Sequence, residues 1–181
     1  MTGFYCSGKS EVEKILTKSF GFYSIDVDKI GHWALEKKKK ELVSILGKTI
    51  LGKNKINRKM LGEIVFNDNV KLSKLNSIVH SVMTNKIKQE IKKNKKKICI
   101  NAALLFDMNL DKLCNKIIVV KAGLFKILSR AKKRDGSSIF RTLKILNHQR
   151  NLKKIRKNNN IILLKNHGSI KMLQIQIKKL I

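Results

Sequence analysis

Gly3-Phe4-Tyr5-Cys6-Ser7-Gly8-Lys9-Ser10 decides the fold of this 181-residue chain. Its spacing, Gly-x4-Gly-Lys-Ser, is the Walker A pattern, in which consecutive backbone N–H groups turn inward around phosphate oxygens. Each fixed residue has a physical task. Gly3 and Gly8 allow backbone conformations and close approaches that a side chain would obstruct. Lys9 is placed to reach the β- and γ-phosphates of ATP, and Ser10 to ligate Mg²⁺ through its hydroxyl. Cys6 and Ser7 supply small side chains where backbone amides do the binding, and Glu11 follows directly on the same nucleotide-binding stretch.

Outward from the loop, Val12, Ile15, Leu16 and Phe20 recur at the spacing of one helical face, so a helix begins where the loop ends and turns its positive end toward the same anion. Gly21 closes that helix. Phe22 to Ile25 reads as a short strand that delivers Asp26 and Asp28 at its C-terminal end. From Lys29 to about Lys97 the pattern is mostly helical, broken near Gly47 to Gly52, with a Lys-rich amphipathic stretch from Val70 to Lys93. Ile98 to Phe106 is a nearly continuous apolar run, as in a strand buried on both faces of a parallel sheet, and Lys116 to Lys121 and Asn160 to Leu164 read the same way. Between those last two lies a basic segment, Leu124 to Gln149, helix-like on both sides of Asp135-Gly136-Ser137-Ser138 and suited to a hinged flap. Ser169 to Ile181 spaces Ile170, Leu173, Ile177 and Leu180 for a final amphipathic helix. Strands alternating with helices imply an α/β fold with a parallel sheet. A loop of this kind hangs from the end of a buried strand, yet only Met1 and Thr2 precede Gly3. The first central strand is therefore expected to be missing from the chain, and a start further upstream is the favoured explanation.

Composition narrows the class. The formal charge of +29 would ordinarily suggest a polyanion partner. Of the 41 basic residues, however, six are Arg, and the Lys excess travels with abundant Asn and Ile and no Pro. That is the usage an AT-rich coding sequence imposes, so no nucleic-acid partner is expected. Aromatics make up 6% of the chain and do not interleave with the basic residues as a base-stacking platform requires. Cys6, Cys99 and Cys114 have no metal-like spacing, and their odd number argues against a disulfide framework, which fits a reducing cytoplasm. No apolar run is long enough to span a bilayer, so no membrane partner is expected. Nothing in the pattern sets an oligomeric state.

The loop, the Asp-x-Asp and the later blocks together resemble the dephospho-coenzyme A kinases, nearly end to end. The matching stretches are Thr2-Gly3-x4-Gly8-Lys9-Ser10, Ile25-Asp26-x-Asp28, a helical segment from Leu61 to Met83 carrying His80, Leu104-Leu105-Phe106-Asp107, a lid containing Arg130-x3-Arg134-Asp135, and a closing block from Ile161 to Ser169. Five positions depart from the family pattern: Ser81 follows His80 where Pro is usual, Asn101 and Ala103 replace an acidic residue and a Pro, Asp107 stands where Glu is common, and Glu11 where Thr is frequent. The resemblance implies a P-loop kinase domain over residues 1–181 with three-layer architecture, a helical acceptor-binding insert at about 30–97 and a lid at about 124–149. It also implies transfer of the γ-phosphoryl of ATP to the ribose 3′-hydroxyl of dephospho-coenzyme A. A sugar hydroxyl undergoing that transfer needs a carboxylate to take or order its proton. Asp28 is the first choice for that base and Asp26 for the metal shell or positioning, with the order of the two left open. Arg130 and Arg134 would close over the phosphates, and His32, His80 and Asp107 would contact the acceptor.

Each assignment has a plainer competitor. Asp26 and Asp28 can cap a helix starting near Lys29. His80 and His32 can be packed residues, Arg130 and Arg134 a solvated helix face, and Asp107 a turn former. At the level of function the rivals are another P-loop small-molecule or nucleoside monophosphate kinase, a basic nucleic-acid-binding protein, and a degenerate chain that keeps the fold without turnover.

Overall fold

The structure is a computed structural model describing residues 1–149, 152, 155 and 160–181. The chain divides into two compact units, residues 1–25 with 94–181, and residues 26–93.

The first unit is built on parallel strands. β1 (Thr2–Gly3) pairs with β6 (Ile117–Lys121), and β6 pairs along its whole length with β7 (Ile161–Lys165), both in parallel. A separate pair joins β2 (Tyr23–Asp26) and β5 (Ile98–Asn101). Met1 connects the two sets. Its amino group donates to Ile100 O at 2.6 Å and its carbonyl accepts from Ala102 N at 3.1 Å, so residues 1–3 run between β5 and β6 in the order β2-β5-β1-β6-β7. The strand position that the sequence leaves almost unfilled ahead of the loop is thus held by a two-residue stub, which satisfies backbone groups on both neighbours. Burial lowers the pKa of the Met1 ammonium.

β5 is shorter than its apolar run suggests. The ladder stops at Asn101, and residues 103–109 turn, with Met108 N, Asn109 N and Leu110 N bonding back to Leu104 O, Phe106 O and Leu105 O. Leu105 is then fully buried from a turn rather than from a strand.

The helices cover the strands through two apolar clusters. α1 (Lys9–Phe20) and the last helix, α8 (Ile170–Lys178), pack Val12, Ile15, Leu16, Leu173 and Ile177 against Val120, Leu164 and Cys99. Ser169 starts α8 by accepting from Met172 N. In the second cluster, Phe4 and Cys6 from the loop meet Ile127 and Ala131 of α6 (Leu124–Asp135) and Leu146 of α7 (Ile139–His148). Gly136 ends α6 and the Ser138 side chain caps α7, so the Asp-Gly-Ser-Ser stretch is a corner between two helices.

The second unit is helical around one small hairpin. α2 (Val27–Lys37), α3 (Lys39–Leu46), α4 (Arg58–Val65) and the 25-residue α5 (Asn69–Lys93) flank β3 (Leu51–Gly52) and β4 (Lys55–Ile56), which pair antiparallel. The hairpin falls inside a segment whose pattern reads as a helical break. Lys53 and Asn54 both take positive φ at its tip, the geometry of a two-residue hairpin turn. Gly31 lets α2 approach α5, since a Cβ there would lie 3.3 Å from Met83 Cε.

Candidate active site

The loop is shaped from within by its glycines and from without by three side chains. A Cβ on Gly3 would fall 2.4 Å from Val120 O on the adjoining strand, so only glycine fits where β1 turns into the loop. Gly8 has φ +94, and a Cβ there would fall 2.1 Å from Asn166 Nδ2. Cys6 also takes a left-handed conformation, at φ 52. Together these turns curl the chain so that it feeds directly into α1, whose N-terminus carries no side-chain cap and presents the helix's positive end.

Lys9 folds back across the curl, its Nζ donating to Gly3 O and Phe4 O at 3.0 Å each. On the carbonyl side, Arg130 donates from NH1 to Ser7 O at 3.1 Å and Cys6 O at 3.4 Å. Asn166, buried just beyond β7, donates from Nδ2 to the same Ser7 O at 2.9 Å, and Gln149 Oε1 accepts from Tyr5 N at 2.8 Å. Pinning a carbonyl from outside fixes the peptide plane, and with it the direction of the N–H on the other face, which is the preorganisation an anion site requires. Ser7 Oγ is buried and finds no hydrogen-bond partner among the described residues. A polar atom left so in a native interior calls for a partner such as an ion or a ligand.

Ser10 is exposed on the first turn of α1, and Glu11 beside it pairs with Lys14 at 3.7 Å. Among the described residues no group of three or more His, Cys, Asp or Glu side chains gathers to hold a metal. Mg²⁺ at nucleotide sites typically takes only one or two protein ligands and completes its octahedron with phosphate and water. The Ser10 hydroxyl fits that arrangement.

One turn beyond Arg130 on α6, Arg134 is engaged differently. It forks onto Asp135, Nε to Oδ1 and NH2 to Oδ2 at 2.8 Å each, and its guanidinium lies 4.8 Å from the centroid of the Tyr5 ring. The Tyr5 hydroxyl also meets Asp135 and approaches Ser137 Oγ at 3.3 Å. The Arg134 bonds, followed by the Tyr5 hydroxyl, hold the Asp135 carboxyl down at about 2. Partial burial and then the bond to Asp135 push the Tyr5 phenol up. Tyr5 is therefore tied to the corner between α6 and α7. Asp107 stands exposed in the turn after β5.

The remaining sequence-selected residues belong to the second unit. Asp26 caps α2, accepting from Lys29 N at 3.1 Å, with Lys29 Nζ 3.7 Å away, so the capping role is realised for this carboxylate. Asp28 lies exposed in the first turn of α2. The His32 ring meets the Arg58 guanidinium at 3.2 Å from Nδ1, and His80 is half-buried on α5. Trp33 lies under Lys37 Nζ at 5.0 Å and Lys86 Nζ at 5.8 Å from its ring centroid, two cation–π contacts.

Within the first unit, then, Gly3, Cys6, Ser7, Gly8, Lys9 and Arg130 converge, and Arg134 attaches to them through Tyr5. Asn166 and Tyr5 lie within the matching stretches of sequence but carry no site role in the motif reading. One signal pointed to Asn166: it immediately follows a parallel strand, and the carboxyl ends of such strands are where α/β sheets bind ligands.

A family model described as Dephospho-CoA kinase matches residues 1–172. A dephospho-CoA kinase of Borreliella burgdorferi is 52% identical over 124 residues, covering 67% of this chain and 60% of the relative, so the match spans less than two thirds of that protein's length. One of Buchnera aphidicola is 36% identical over 178 residues, covering 95% of this chain and 84% of the relative. Among solved structures, a Thermus thermophilus protein superposes with a TM-score of 0.86 at 27% identity, covering 99% of this chain and 93% of that one. The dephospho-CoA kinase of Campylobacter jejuni superposes at 0.67 with 28% identity, covering 98% and 93%. The α/β architecture with its parallel strands is thus shared with both solved structures, of which the Campylobacter jejuni one is a dephospho-CoA kinase.

Proposed function

The chain belongs to the dephospho-CoA kinase family, and from that premise we propose that it transfers the γ-phosphoryl of ATP to the ribose 3′-hydroxyl of dephospho-coenzyme A, the last step of coenzyme A synthesis. The observation that carries the reading is the loop held in an anion-ready curl by Lys9, Arg130 and Asn166.

In this reading the loop amides and the N-terminus of α1 bind the ATP phosphates. Lys9 leaves its carbonyls for the β- and γ-phosphates and compensates the charge that builds on the transferring group. Arg130 keeps the loop carbonyls turned outward, and Arg134, on leaving its fork with Asp135, adds positive charge from the lid. The Ser10 hydroxyl would hold Mg²⁺, which would supply charge neutralisation at the ATP phosphates. Asp28 takes the proton of the 3′-hydroxyl as its oxygen bonds to the γ-phosphorus and the bond to ADP breaks. Asp26, committed to the α2 cap, positions the turn that carries Asp28. Within the helical insert at about 30–97, His32 and His80 are acceptor contacts; within the first unit, Asp107 is another, and the lid at about 124–149 excludes water so that ATP is not hydrolysed. No described helix is long and apolar enough to cross a membrane, and a cytoplasmic setting suits both substrates.

A coupled ADP-release assay tests the function. Turnover is expected with dephospho-coenzyme A and ATP, absent with nucleoside monophosphates at matched concentration, and reduced about 10²- to 10³-fold by Lys9→Ala, the scale of losing one oriented stabilising donor. Turnover of monophosphates in preference to dephospho-coenzyme A would instead identify a nucleotide kinase.

A further inference from the structure

A cavity of about 780 Å³ opens beside the loop, between α6 and α7. Its size lies in the range of about 300–1,000 Å³ that ordinarily buries most of a drug-sized ligand. It begins at the phosphate site itself. Phe4, whose carbonyl accepts from Lys9, forms one wall, and Leu124, Phe140 and Leu143 are among the others. These side chains are not closed over by the protein: Leu124 is 47% exposed, Leu143 43% and Phe140 80%. Among the described residues, the polar side chains that line it are Lys144 and Asn147, both exposed on α7.

The two substrates differ in what such a cavity could recognise. A purine base asks for hydrogen-bonding partners along its ring edge, and walls made largely of carbon offer few. The acceptor alone carries a long arm, with a gem-dimethyl group, two amides and a thiol, joined to its nucleoside by a diphosphate. Apolar walls fit the methyl and methylene surface of that arm. An amide side chain fits its peptide-like groups, and a lysine complements the diphosphate. The cavity also starts within a residue of the loop, where the acceptor's reacting hydroxyl must arrive.

We propose that the cavity walled by Phe4, Leu124, Phe140 and Leu143 is the subsite for the pantetheine arm of the acceptor, with Lys144 as the counter-charge to the diphosphate. The inference rests on the function proposed above and deepens it. It makes Phe140 a specificity-determining residue, reading the part of the acceptor that no nucleotide possesses.

Initial rates of the full chain, with ATP and acceptor varied separately, test it. Phe140→Ala, at a largely exposed site, is expected to raise KM for dephospho-coenzyme A about tenfold, the order of losing partial burial of one aromatic ring. KM for ATP is expected to stay within about twofold, and Phe140→Leu to recover most of the loss, as an apolar wall of similar size should. Ile175→Ala, which removes an exposed apolar side chain that does not line the cavity, controls for general loss of surface hydrophobicity. An unchanged KM for dephospho-coenzyme A in Phe140→Ala overturns the subsite while leaving the function standing. A rise in KM for ATP instead assigns the cavity to the donor's base and overturns it as well. Failure of the unsubstituted chain to use dephospho-coenzyme A overturns the function and the subsite together.

Discussion

Asn166 donates one buried hydrogen bond, to Ser7 O, and that bond links the end of β7 to the phosphate loop. Removing a buried donor and leaving its acceptor short costs about 1–3 kcal/mol. Asn166→Ala is expected to lose stability on that scale in urea unfolding and to raise KM for ATP, because the Ser7 peptide is no longer held from both sides. Asn166→Asp is expected to be worse for ATP than Ala, since it sets a carboxylate oxygen against a carbonyl oxygen beside an anion site; equal or better ATP binding in the Asp variant would refute this account of the loop. Asp135 behaves differently because it is exposed. Its folded-state pKa of about 2 is depressed by Arg134 and then Tyr5, so its stabilising contribution is fully present above the ordinary carboxyl value, near ~4, and is lost as pH falls through about 2. Asp135→Asn is therefore expected to be less stable than the parent at neutral pH, with the difference closing between about pH 4 and pH 2 and shrinking in high salt. A difference that stays constant down to pH 2 would mean that the ion pair is not its source.

Two carboxylates two residues apart are separated in role by the element they enter. Asp26 is the last residue of β2 and the cap of α2, whereas Asp28 is inside the first helical turn. Asp26→Ala is expected to destabilise by about 1 kcal/mol, the usual loss for a helix cap, with a modest change in kcat. Asp28→Asn is expected to keep stability and lower kcat by about 10²- to 10⁴-fold, as removal of a general base does. Thermal melts paired with steady-state rates separate the two; the opposite pattern would exchange the roles. At this scale the sequence was legible where periodicity is local. α1, α5, α6, α7 and α8 follow from apolar spacing, and the corner at Gly136 to Ser138 from its turn residues. The end of β5 and the hairpin at Leu51 to Ile56 were not legible. An apolar run does not say where a neighbouring strand stops taking its hydrogen bonds, and a four-residue ladder is too short to impose a period.

Across the whole chain, 41 basic residues outnumber 12 acidic ones, and the net charge of +29 repels itself. Self-repulsion of this kind weakens the compact state and is screened within about 10 Å at 0.1 M salt. The melting temperature is accordingly expected to rise from about 20 to about 200 mM NaCl, while kcat/KM for the two anionic substrates falls as steering is lost. Measuring both across one salt series checks the argument, and a melting temperature that falls with salt would show that specific ion pairs outweigh the net field.

The sequence by itself determined the phosphate loop, the alternation of strands and helices and the family, because glycine spacing and apolar period act over a few residues and are written where they act. Tertiary structure decided what holds the loop. Arg130 and Asn166 reach Ser7 O from 123 and 159 residues away, and the strand that anchors Gly3 is a two-residue stub secured by Ile100, Ala102, Val119 and Val120. Those contacts depend on which strands become neighbours, a long-range choice made by the packing of the two apolar clusters and not encoded in any local period.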